Sequence, residues 1–532
     1  MPEYLSPGVY IEEQTTGPRP IEGVSTSTAA FIGPTERGPE HPRLVLSWLE
    51  FQRWYGTYLT NSVMPHAVQG FFDNGGQRLF IARVVSETAP SPTTRTVGNL
   101  VLMAVGRGLW GNNILVRIDG ATHRNVDLGR PWFKLTLLYY RRLPDMDNFL
   151  DPLDVKNAGN PALVLPDYVE QYDDLVHTHG AGNNVENVVN SASHLVRVWF
   201  DTDTPDPVPT DAVNNYAQLG TGGGDGDPIT ADTYTGNMDP LVPGSPRSEE
   251  LLGRGRGLAA LEAITDLSLI AAPDTALNGN LAPVIANIIN QCEQLKDRFA
   301  VVSTVSGQND TQAQSLARMP DTSYAAVYYP WIEIYDPLGK RPLRIPPTGH
   351  VTGLIARTDI DRGVHKAPAN EVLRDATNLE FPVPKGMQDM LNPRGINCIR
   401  DFSTEGRGIR VWGARTVSSD PQWKYINVRR LFIFIEQSIY RGTQWVVFEP
   451  NDEPLWAQLR RSINNFLINV WKSGALMGLT QEEAFFVKCD RTTMTQDDID
   501  NGRLVCYIGI APVKPAEFVI FRISQKTAEA PA

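Results

Sequence analysis

Short apolar runs, broken by glycine and proline, set the rhythm of the first half of the chain. "TAAFIGPTERGP" reads as a strand followed by a turn, and "RLFIARVV" as a strand leaving the turn "NGG". "NNILVRI" and the aromatic-rich "PWFKLTLLYY" are strand-like as well. From residue 265 onward an alternation sets in. "DLSLIAAP" is a strand, "APVIANIINQCEQL" a helix, "RFAVVS" a strand and "YAAVYYPWIEI" another strand. "INCIRDF", "GIRVWGARTV" and the helix-like "INVRRLFIFIEQSI" continue it. Strands alternating with helices predict an α/β fold (mixed α/β and α+β) around a mixed sheet.

The clearest helix is "NDEPLWAQLRRSINNFLINVWKSG". Asp452 is placed to cap it, Glu453 and Pro454 suit its first turn, and Gly474 is placed to end it. Leu455, Trp456, Leu459, Ile463, Phe466, Leu467, Val470 and Trp471 fall on one broad face at helical spacing. Arg461, Asn465 and Lys472 gather on the opposite face. That ridge is either the solvated side of a core helix or a basic surface for an acidic partner. At the N-terminus, Val9, Tyr10, Ile11 and Glu12 in "YLSPGVYIEE" read as a short strand between Pro7-Gly8 and Thr15-Thr16-Gly17-Pro18. A lone terminal strand leaves its peptide groups unpaired, so it needs a partner strand.

Composition narrows the class. The 532 residues suggest about three domains at roughly 100–200 residues each. With 42% hydrophobic and 20% charged residues, the chain has an ordinary globular composition. No apolar run approaches a membrane span, and the start lacks a basic region followed by an apolar stretch, so neither membrane insertion nor a secretory signal is expected. Cys292, Cys398, Cys489 and Cys506 are scattered with no C-x-x-C pair, which favours reduced structural thiols and assembly in cytoplasm. A formal charge of −12 argues against direct nucleic-acid binding. Between Asp201 and Pro246 there are eight Asp, seven Gly and seven Pro but no Lys or Arg. Such a stretch is expected to be an exposed loop or insertion that buries little.

No catalytic constellation emerges. "GRGRGLAALEAI" is glycine-rich and enters a short helix, yet no strand precedes it and its spacing is not that of a phosphate cradle. A flexible re-entry into the core explains it better. "GTGGGDGDP" and "DTDTPDP" miss the spacing of calcium loops. Asp359, Asp361 and His365 in "RTDIDRGVHKAP" have the chemistry of a metal or proton-relay set, against which stands a structural loop pinned by charge pairs. No cofactor is expected.

Taken together, the segments "SPGVYIEE", "STAAFIGPTERGP", "FFDNGGQRLFIARV", "YYPWIEIYDP", "IPPTGHVTGLIARTDIDRGVHKAPAN", "LNPRGINCIRDF", "FEPNDEPLWAQLRRSINNFL" and "YIGIAPVKPAEFVIFRI" resemble the contractile tail sheath family. That family includes sheaths of contractile phage tails, phage-tail-like bacteriocins and extracellular contractile injection systems. The resemblance runs in order over roughly three-quarters of the chain. It leaves out residues 99–247, which fit a variable, β-rich outer insertion.

The resemblance implies a structural subunit rather than an enzyme. Residues 1–24 would form an N-terminal arm, 25–98 with 248–440 a sheath core, 441–511 an inner domain and 512–532 a C-terminal arm. The arms would pair with strands of neighbouring copies through Val9, Tyr10, Ile11 and Glu12 and through Phe518, Val519, Ile520, Phe521 and Ile523. In the second arm Phe518 and Ile520 face one way, and Val519, Phe521 and Ile523 the other. Arg461, Asn465 and Lys472 would face an inner tube. The implied partners are further copies in a six-fold helical sheath, an inner tail tube protein, and baseplate and terminal cap proteins. The implied location is a phage tail or tail-like particle, assembled in the bacterial cytoplasm. An α/β nucleotide-binding or hydrolytic enzyme and one component of a type VI secretion-like sheath are the alternatives.

Overall fold

Phe31 and Ile32 have no exposed surface because the strand that carries them, Thr28–Gly33, has parallel neighbours on both edges and helices over both faces. The computed structural model describes residues 20–522, apart from 124, 128–129, 179, 202–214, 243–245, 278–281 and 308–319. Its central feature is a nine-stranded mixed sheet. The strand order is Glu371–Val372, Ile409–Val411, Ile396–Asp401, Ala325–Tyr329, Phe299–Ser303, Leu269–Ala271, Thr28–Gly33, Arg78–Arg83, Arg43–Val45. The inner six run parallel and the outer three pair antiparallel. Near-continuous apolar strands such as FAVVS and AAVYY are what a parallel sheet covered on both faces requires.

Ala30 and Ile32 face a layer that includes Leu258, Leu261, Val284, Ile288 and Ile289 of the helices Gly257–Leu261 and Ala282–Leu295. Phe31 points the other way and meets the Phe71 ring edge-on, with centroids 5.6 Å apart. Phe71 lies on the helix Met64–Asp73, which crosses the helix Thr348–Arg362 at very short range. A Cβ on Gly349 would lie 2.3 Å from Ala67 O, and one on Gly353 2.3 Å from Phe71 O. Glycine is therefore needed at both positions for the backbones to approach. The helix Met64–Asp73 has no capping side chain of its own, and the buried Asp274 takes that place. Its carboxylate accepts from Val63 N and Ser62 Oγ, each at 2.7 Å, and burial pushes its pKa up to about 6.

The insertion is an antiparallel β structure. One sheet orders Tyr168–Leu175, Phe133–Tyr139, Ile114–Gly120 and Ala217–Gln218; the other orders Val196–Phe200, Leu100–Ala104 and Thr94–Val97. Leu100, Leu102, Ile114, Val116, Leu135, Leu137 and Val198 share one apolar core between them. Arg107 pairs with the fully buried Glu40 at 2.6 Å.

Three sequence expectations need correction. "YAAVYYPWIEI" is two strands, because the chain breaks at Pro330-Trp331 and Ile332–Asp336 joins a separate sheet with Arg341–Ile345. The acidic stretch 201–246 buries more than its composition suggests: Tyr216, Leu219 and Tyr234 are 5%, 1% and 1% exposed. Asp359 and Asp361 lie in the helix Thr348–Arg362 rather than in a loop.

The chain divides into two compact units. One holds residues 25–362 and 367–429; the other holds 1–24, 363–366 and 430–532. The division falls inside the helix Ile426–Gly442. In the second unit, Leu431, Ile435, Leu455, Leu459, Ile463, Phe466, Leu467 and Phe485 build the core.

Candidate assembly surfaces

The helix Glu453–Lys472 begins as its sequence dictates. Asp452 accepts from Leu455 N at 3.0 Å, Pro454 occupies the first turn, and Glu453 lies at the positive end of the helix dipole. It stops at Ser473, after which Gly474 takes a left-handed conformation (φ 83°) and donates to Trp471 O. Seven of the eight apolar-face residues are buried, and Trp471 is half-buried with its indole donating to Gly478 O.

Arg461, Asn465, Asn469 and Lys472 are exposed and form one stripe along the opposite side. No acidic residue follows Glu453 within this helix. Arg460 is engaged, donating to Cys489 O at 3.0 Å, and Glu453 pairs with Arg491 at 2.8 Å. Among the described residues Arg461 and Lys472 have no ion-pair partner. The stripe is thus a cationic, hydrogen-bonding surface on a rigid element.

Behind this helix lies a two-stranded antiparallel sheet, Phe485–Lys488 with Tyr507–Ile510. Phe485, Val487 and Ile510 turn into the core, while Phe486 and Tyr507 are each 58% exposed. The Phe486 ring lies over Gly509, where a Cβ would meet it at 2.1 Å. Among the described residues no third strand pairs with Phe485–Lys488. Two strands alone are marginal, so this sheet has capacity for more.

The chain then runs beside Ala475–Met477, with Met477 N donating to Ala511 O and Val513 N to Ala475 O. Phe518, Val519, Ile520 and Phe521 are 71%, 70%, 77% and 83% exposed and belong to no strand. Ile523 and the N-terminal residues Val9, Tyr10, Ile11 and Glu12 lie outside the described residues.

Sequence reading passed over the open strand Phe485–Lys488, although the in-out alternation of "FFVK" carried a signal for it. It also passed over Phe448, which is fully exposed with φ 68° just before the helix. Among the described residues, no group of three or more His, Cys, Asp or Glu is arranged to hold a metal ion, and no helix is long and apolar enough to cross a membrane.

Comparison with known proteins matches residues 253–417 to the phage tail sheath protein central domain and residues 418–526 to the phage tail sheath C-terminal domain. Together these cover just over half of the chain without a gap. The chain belongs to the phage tail sheath family. Its sheath relatives include the tail sheath protein of Burkholderia phage BcepMu, 32% identical over 163 residues, which are 28% of this chain and 33% of that protein. A putative prophage major tail sheath protein of Pseudomonas aeruginosa is 23% identical over 238 residues, 43% of this chain and 59% of that protein. The tail sheath protein of Enterobacteria phage T4 is 27% identical over 203 residues, 37% of this chain and 29% of that protein. The matched stretches thus span between about a third and three-fifths of these relatives' lengths.

The fold extends further than the sequence identity. The helical sheath of the anti-feeding prophage in its contracted state superposes with TM-score 0.57 at 22% identity, covering 98% of this chain and 99% of that one. The sheath complex of the extracellular contractile injection system PVC in its contracted state gives 0.56 at 21%, covering 99% of each. Family and fold are those of structural tail sheath proteins, not of enzymes.

Proposed function

We propose that this chain is the repeating subunit of a contractile tail sheath, which polymerises helically around an inner tube and shortens to drive that tube through a target envelope. The observations that carry this reading are the exposed apolar segment Phe518–Phe521 and a two-stranded sheet that, among the described residues, no third strand completes. A segment apolar on both faces gains burial only when it enters a sheet, and the open edge of Phe485–Lys488 in a neighbouring copy is such a site. The N-terminal segment with Val9, Tyr10, Ile11 and Glu12 takes the same role from the other end. Head-to-tail pairing of this kind does not close on itself and gives a helical polymer.

Arg461, Asn465 and Lys472 then hold an inner tube of acidic, hydrogen-bond-accepting surface. Baseplate and terminal cap proteins bound the polymer in a phage tail or tail-like particle built in the bacterial cytoplasm. The arms link copies in any state, so the choice between long and short forms rests with contacts between subunit bodies and with the tube. A tube that binds only the long form stabilises it by that differential affinity, and release converts the difference into motion.

Deleting Ala516–Ala532 tests the assignment. The expected product is folded, with an unchanged far-ultraviolet dichroism spectrum, and sediments as a monomer where the full chain forms tubes. Long tubes from the truncated chain would remove the arm from the mechanism.

A further inference from the structure

The two-stranded sheet ends in a pair of cysteines. Its register runs Phe485↔Ile510, Phe486↔Gly509, Val487↔Ile508 and Lys488↔Tyr507, so the next residues opposite each other are Cys489 and Cys506. Ala511 N donates to Ala484 O at 2.9 Å, which places the hydrogen-bonded pairs of this ladder at Ala484, Phe486 and Lys488. Cys489 and Cys506 therefore fall at a non-hydrogen-bonded pair. There the Cα atoms of an antiparallel ladder approach to about 4.5 Å, within the span of about 4.4–6.8 Å that a disulfide bridges.

Both side chains turn to the same face. Cys489 is fully buried in the core of the unit, and Cys506 packs at its margin, half-buried. The proximity of the two thiols lowers the pKa of Cys489 and raises that of Cys506. Cys292 and Cys398 belong to the other unit, and burial pushes both thiols up.

We propose that Cys489 and Cys506 are a disulfide-forming site that closes when the protein meets a small-molecule disulfide in an oxidising medium. The chemistry is thiol–disulfide exchange. Cys506, the accessible thiol, loses its proton to water and attacks one sulfur of the small disulfide, releasing one thiolate. Cys489, opposite it in the ladder, loses its proton to water and attacks Cys506 Sγ, expelling the second small thiolate. Two protein thiols are oxidised, and one small disulfide is reduced to two thiols. The bond ties Phe485–Lys488 to the strand from which residues 511–522 depart, so the root of the arm becomes fixed to its own unit. The first step is faster as pH rises, because the thiolate and not the thiol is the nucleophile.

The test uses the full chain with oxidised glutathione, followed by denaturation, alkylation and mass spectrometry. Wild type is expected to lose two of its four alkylatable thiols, to yield a peptide linking Cys489 to Cys506, and to recover all four after reduction. Closure is expected to be faster at pH 9 than at pH 7, at least about tenfold by the proton dependence of thiolate formation. Cys506→Ser should keep its three remaining thiols free, and its melting temperature should match that of reduced wild type. Four free thiols after oxidation of wild type would overturn the proposal. So would a lasting glutathione adduct on Cys506 without the internal link.

Discussion

Phe31 and Ile32 in the nine-stranded sheet are 0% exposed, whereas Phe518 and Ile520 in the C-terminal segment are 71% and 77% exposed. The two stretches, AAFIG and EFVIFR, are similarly apolar. In the first, parallel neighbours take up every peptide group and helices cover both faces. In the second, no described strand pairs with Phe518–Phe521 and their side chains stay exposed. At roughly 25 cal/mol per Å² of apolar area removed from water, leaving four large side chains in solvent forgoes several kcal/mol. The difference separates two uses of the same pattern: one apolar segment stabilises the subunit, and the other is available to stabilise the polymer.

The largest expected effect breaks the paired side of this comparison. Gly353→Val puts a Cβ against Phe71 O and forces apart two helices that cover the sheet. It should destabilise the larger unit by about 3 kcal/mol or more, read as a lower unfolding midpoint. Gly386→Val is the control: nothing lies within 4 Å of its Cβ, and a change below about 1 kcal/mol is expected. Equal losses in the two variants would show that the close crossing does not hold the sheet's cover.

A smaller effect sharpens the other side. Arg461→Glu with Lys472→Glu reverses the charge of the exposed stripe while leaving the buried face of the helix intact. Docking on an inner tube should weaken by about 1–3 kcal/mol per subunit, and its enhancement at low salt should disappear. Thermal stability should stay within about 0.5 kcal/mol. Unchanged co-sedimentation with the tube across a salt series would leave the stripe as a solvated surface.

Much of the fold was legible because its signals are local. The helices Ala282–Leu295 and Glu453–Lys472 and the strand Phe299–Ser303 follow periodicity and caps that one short window contains. What escaped depends on contacts distant in sequence. The helix Thr348–Arg362 is buried on nearly every side, so it has no polar stripe to reveal its period, and Asp359 and Asp361 passed for loop residues. Tyr216 and Tyr234 are single aromatics in an acidic stretch, where one buried ring leaves no pattern. The ridge Arg461, Asn465 and Lys472 was legible as an exposed face. The open edge of Phe485–Lys488 was not, since an unfilled place in a sheet is a property of what surrounds it.

The central claim is that the exposed apolar segment of one copy is paired in the polymer. Amide hydrogen exchange over residues 516–522 tests it most directly, comparing unassembled chain with assembled tubes. The account predicts exchange near the unprotected rate in the free chain and strong protection in tubes, with matching protection appearing at Phe485–Lys488. Fast exchange at 516–522 in fully assembled tubes would contradict it.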